Sequence, residues 1–106
     1  MSRGPDAATL LERALRTSAE RAGCPVTIMA SDMTRWASAT FVGARHGITL
    51  AASPSTALTQ WIADLPEADL PLRNHLVAEA SVTSMRHAAG TVTIEAEFLT
   101  IEDRAK

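Results

Sequence analysis

One hundred and six residues, 46 % hydrophobic and 21 % charged, describe one globular domain, 1–106, able to bury a core without metals or disulfides. A net charge of −2 excludes the broad positive field expected of a nucleic-acid binder. A single cysteine, Cys24, excludes an internal disulfide and a zinc site built from cysteines.

Nine of the ten basic residues are Arg, scattered among many Ala, a bias that fits a GC-rich bacterial genome. The stretch "MSRGPDAATLLERALRTSAERAG" lacks the apolar core of a signal peptide, and no apolar run approaches the ~20 residues of a membrane span. The expectation is a soluble cytoplasmic protein, with residues 1–5 and 102–106 frayed.

Residues 6–22 read as a helix. Asp6 is placed to cap its first turn, and Leu11, Ala14, Leu15, Ser18 and Ala22 recur at helical spacing. Gly23 supplies the stop, and Pro25 cannot continue the helix. The period then drops from 3.6 to 2. "VTIMAS" (26–31), "WASATFV" (36–42) and "ITLAA" (48–52) read as three strands, with "SDMTR" (31–35) and "GARHG" (43–47) as the turns between them. On that reading Arg45 and His46 lie exposed at a hairpin tip.

"SPSTALTQWIADL" (53–65) returns to helical spacing. Ser53 or Ser55 is the cap, the stripe is Leu58, Trp61, Ile62 and Leu65, and Pro66 ends it. "HLVAEASVTSMR" (75–86) and "TVTIEAEFLTI" (91–101) read as a long hairpin turned at "HAAG" (87–90). Leu76, Ala78, Ala80 and Val82 are expected on one face with Val92, Ile94, Ala96 and Phe98. Glu79, Ser81, Thr83 and Met85 are expected opposite, with Thr93, Glu95 and Glu97. The order α-β-β-β-α-β-β predicts an α+β domain: a mostly antiparallel five-stranded sheet with two helices on one face.

Little in this chain points to chemistry. His46, His75 and His87 form no metal-ligand spacing, so no metal and no cofactor are expected. Cys24 sits at a helix C-terminus, where the dipole opposes a thiolate, and reads as a structural thiol. The five glycines form no phosphate loop. Glu79, Glu95 and Glu97 share a sheet face as an acid–base pair would, but more simply as solvated polar residues.

One departure from a one-sided sheet stands out. Met29, Trp36, Val42 and Met85 fall on the outward face among Thr and Ser, which is the composition of a contact surface. The sequence therefore favours a non-enzymatic interaction or assembly module, either a homodimer through that face or a module docking a protein partner, without nucleic acid or membrane. The alternative is a small-ligand protein or small enzyme. Its pocket would lie between the sheet and the 66–74 loop, with Arg45, His46, Arg73 and His75 as polar groups. A third possibility, nucleic-acid regulation through Arg13, Arg16 and Arg21, is opposed by Glu12 and Glu20 on the same helix.

Overall fold

The computed structural model describes residues 6–103. Helix α1 (Ala7–Ala22) is followed by strands β1 (Thr27–Ala37) and β2 (Val42–Ala52). Helix α2 (Thr56–Asp64) runs into a 3-10 turn, Leu65–Glu67, and strands β3 (His75–Ala88) and β4 (Thr91–Glu102) complete the chain. The strands form one antiparallel sheet in the order β1-β2-β4-β3, so the α2 connection carries the chain across to the far edge before β4 returns to the centre.

The helix ends follow from local chemistry. The Asp6 carboxylate accepts the Thr9 N–H at 2.9 Å, and Gly23 closes α1 in the left-handed conformation. Ser55, not Ser53, caps α2 by accepting the Leu58 N–H at 2.9 Å, so the helix starts at Thr56. Leu11, Leu15 and Ala19 of α1 and Leu58 and Trp61 of α2 meet Ile48, Leu50, Val92, Ile94, Ala96 and Phe98 from the two central strands. The two helices are also tied directly, because the Trp61 Nε1–H donates to Ser18 Oγ at 2.9 Å. Cys24 is buried in the same core, and burial raises its thiol pKa, as a structural thiol requires.

The class and the single helical layer agree with expectation, but the sheet has four strands, not five. The segments "SDMTR" and "GARHG" are not turns; each lies within a continuous strand of 11 residues. The turn is instead Ser38–Phe41, inside the stretch expected to be a strand. There the Ser38 hydroxyl accepts the Phe41 N–H at 3.0 Å and the Ser38 N–H donates to the Phe41 carbonyl at 2.7 Å. Gly43 and Gly47 act as strand residues beneath large neighbours. A Cβ at Gly43 would stand 2.7 Å from Trp36 Cζ2 and 2.1 Å from the Thr100 carbonyl oxygen.

Three β-bulges reset the side-chain alternation, at Met29 in β1 and at Ala78 and Thr83 in β3. Those at Ala78 and Thr83 correct two face assignments. Leu76 pairs with Ile101 on the face away from the helices, while Met85 pairs with Ile94 on the helix side of the outer strand. Of the tail expected to fray, Glu102 is the last residue of β4, and the Asp103 N–H donates to the Asn74 carbonyl at 2.9 Å. Residues 1–5 and 104–106 lie outside the described residues. Among the described residues no helix is long and apolar enough to cross a membrane.

Candidate interaction face

The cross-strand register defines what the sheet presents on the side away from the helices. At one end a row runs Trp36, Gly43, Ile101, Leu76 across β1, β2, β4 and β3. The next row is Thr34, Arg45, Leu99, Glu79, and the third is Asp32, Gly47, Glu97, Ser81. Glu95 and Ser84 follow, then Thr93 and Arg86. Residues directly opposite in antiparallel strands share a face, so each row is a line of neighbouring side chains.

The first row is apolar, with Leu76 exposed and Trp36 and Ile101 half-buried. Leu76 is 55 % exposed beside Ile101, and Phe41, 51 % exposed, joins both at the rim of a hollow of about 150 Å³. Trp36 lies over Gly43, where the missing side chain leaves room for the indole. Among the described residues the buried Trp36 Nε1 has no hydrogen-bond partner. In the second and third rows Asp32, Thr34, Arg45, Glu79, Ser81, Glu97 and Leu99 line a cleft of about 140 Å³, and Gly47 leaves the line between Asp32 and Glu97 without a side chain. The edges of the sheet are less available than its face, because all three bulges lie in the two edge strands and interrupt their ladders.

The residues singled out from the sequence do not gather in one place. Of the expected contact face only Trp36 stands on the open side of the sheet. Met29 is exposed at the β1 bulge; Val42 has helix-side parity but borders the hollow with Phe41, Leu76 and Ile101; Met85, also of helix-side parity, is exposed. Leu76 and Ile101 complete the open row. Leu76 escaped sequence reading because the bulge at Ala78 is invisible in a pattern of small residues. Ile101 was legible in principle, since Phe98 facing the core puts positions 99 and 101 outward.

The expected ligand group divides more sharply. Arg45 and His46 are adjacent on a strand and send their side chains to opposite faces, although both residues border the open cleft. Arg45 enters the open cleft, whereas His46 is not at a loop tip: it is 2 % exposed in mid-strand. Its Nε2 lies 2.9 Å from Thr100 Oγ1 in a buried hydrogen bond, and among the described residues its Nδ1 has no partner. Burial lowers the His46 pKa; the Asp6 carboxylate opposes that shift and His75 adds to it. His75 starts β3 with its Nδ1 2.9 Å from the Arg73 carbonyl oxygen, and Arg73 itself is exposed.

The groove beside the 66–74 loop opens against α1, not against the sheet. Leu10, Arg13, Ala14, Thr17, Arg21, Asp69, Leu70 and Pro71 are among its lining residues, and its volume is about 390 Å³. Among the described residues no three of His, Cys, Asp and Glu come together as a metal site would require.

Together these observations define a two-layer α+β domain with one covered sheet face and one bare one. The chain matches no protein-family model, no curated protein and no solved structure.

Proposed function

We propose that this chain is a non-enzymatic interaction module that docks another protein surface on the bare face of its sheet. The observation that carries this reading is the row Trp36, Ile101 and Leu76, with Phe41 at its end. Apolar side chains are concentrated there on a layer that no helix covers. A solvated antiparallel sheet face is ordinarily polar, and contiguous exposed apolar groups mark contact surfaces. That Arg45 and His46 send their side chains to opposite sheet faces supports this reading over one in which they act together with Arg73 and His75 as a polar group.

The test compares the full chain with its Leu76→Ser/Ile101→Ser variant after circular dichroism and urea titration show that both fold alike. Sedimentation velocity over a hundredfold concentration range measures self-association, and quantitative affinity capture from cell extract measures other partners. The reading expects a dimer or a defined set of captured proteins that the variant loses. Identical sedimentation and identical capture for the two proteins would refute it.

A further inference from the structure

Charge on the open face bears on what docks there. Below the apolar row the face carries four carboxylates, Asp32, Glu79, Glu95 and Glu97, against two guanidiniums, Arg45 and Arg86. Among the described residues no ion pair joins Arg45 to the carboxylates that share its cleft; the ion pair found, Arg35 with Glu102 at 3.6 Å, lies on the helix-side parity. The acidic side chains are exposed, and in the cleft, among the described residues, three carboxylates face the single guanidinium of Arg45, which leaves an excess of negative charge. Residues two apart along a strand are separated by ~6.8 Å. The first carboxylate row thus begins about 7 Å from the apolar row, within reach of one short segment lying on the sheet. A second copy of this chain would bring the same excess of acid to the centre of the contact, and like charges brought together disfavour that pairing.

Resting on the reading of this face as a docking surface, we infer that its occupant is an extended protein segment of net positive charge whose apolar and cationic side chains stand two residues apart, and so on one side of the segment. Its apolar groups cover Trp36, Ile101 and Leu76, and a Lys or Arg side chain enters the cleft between Asp32, Glu79 and Glu97. Apolar contact supplies the anchor, and the carboxylates select the sign of the partner's charge. Solvent-exposed charge of this kind makes binding salt-dependent.

Three fluorescein-labelled octapeptides, two repeats each of Leu-Ser-Lys-Ser, Leu-Ser-Ser-Ser and Leu-Ser-Glu-Ser (here Lys–Leu, Ser–Leu and Glu–Leu), place the two kinds of side chain on one side and test the inference by fluorescence anisotropy with the full chain. The expected result is that Lys–Leu binds at least tenfold more tightly than Glu–Leu in 50 mM salt and that the gap narrows in 500 mM salt. The Glu79→Gln/Glu97→Gln variant should lose at least tenfold for Lys–Leu and little for Ser–Leu. Leu76→Ser/Ile101→Ser should weaken both peptides.

If Ser–Leu binds as well as Lys–Leu, and only the apolar variant weakens them, the charge assignment is overturned while the docking face stands. If neither double variant changes the binding of any peptide, both the inference and the docking reading fall. If sedimentation shows a micromolar dimer abolished by Leu76→Ser/Ile101→Ser, the occupant is a second copy and the cationic partner is overturned.

Discussion

His46 Nε2 and Thr100 Oγ1 stand 2.9 Å apart on the core side of the two central strands, joining the buried polar side chains of the core. The residues are diagonal neighbours, since His46 pairs with Phe98 and Thr100 with Ala44. Thr100→Val keeps the volume and removes the hydroxyl, leaving a buried imidazole with neither nitrogen bonded among the described residues. An unsatisfied buried polar group costs ~1–3 kcal/mol. The expected outcome is a lower urea midpoint with an unchanged slope; an unchanged midpoint would show that water reaches the ring.

The same histidine should make stability depend on pH. Its pKa is lowered in the folded chain, chiefly by burial, from an ordinary value of 6.5. The unfolded chain therefore binds the proton more readily, and acid favours unfolding. The contribution is complete above about pH 6.5 and is lost as the pH falls from there through the folded value. Urea midpoints measured at intervals from pH 7.5 to 5.5 should fall for the native chain and fall less for His46→Leu. Equal slopes in the two proteins would assign the dependence to other groups.

Gly43 and Gly47 should respond in opposite ways to the same substitution. A Cβ at Gly43 meets the Thr100 backbone oxygen at 2.1 Å, which is relieved only by moving β2 away from β4. Gly43→Ala should cost on the order of 1–3 kcal/mol, the range for overpacking, and should shift Trp36 fluorescence. A Cβ at Gly47 meets the end of the exposed Asp32 side chain at 3.0 Å, which can swing aside. Gly47→Ala should be neutral or stabilising by up to ~1 kcal/mol, because alanine loses less backbone entropy in a strand. Thermal melts of the two variants decide the matter.

The β3–β4 turn holds a residue in the wrong conformation for its type. Ala89 has φ 53° and Gly90 φ 76°, the pattern of a type I′ turn, in which Asn-Gly is favoured. Ala89→Asn should raise the melting temperature, with a gain of ~0.5–1 kcal/mol from relieved left-handed strain. A lower melting temperature would mean that the asparagine side chain makes an unfavourable contact at the turn.

Ser18→Ala probes the joint between the helices. It removes the acceptor of the Trp61 Nε1–H and leaves that donor unpaired in a core residue. The expected loss is ~1–3 kcal/mol, accompanied by a change in Trp61 emission. Stability unaltered within error would mean that the indole finds another acceptor.

Much of this architecture was legible in residue order alone. The cap at Asp6, the stop at Gly23, the Leu11–Leu15 stripe and the parity of Val92 through Phe98 rest on contacts within a few residues or on strict alternation. The alternation Ala44, His46, Ile48, Leu50, Ala52 was present too, running through "GARHG", but two glycines and two polar residues also make turn composition. What made that segment a strand is its neighbours: Trp36 occupies the space above Gly43, Asp32 approaches Gly47, and Thr100 bonds His46. Each of those partners comes from another strand, two of them across the hairpin and one 54 residues away.

The face of Leu76 was likewise decided by a bulge, which exists only in the pairing of two strands. Local chemistry determined where helices begin and end and which side of β4 is apolar. Tertiary pairing decided the strand count, sent Arg45 and His46 to opposite faces, and assembled Trp36, Ile101 and Leu76 into one row. That division follows from the sheet itself, whose side-chain neighbours across strands are set by register and not by proximity in the chain.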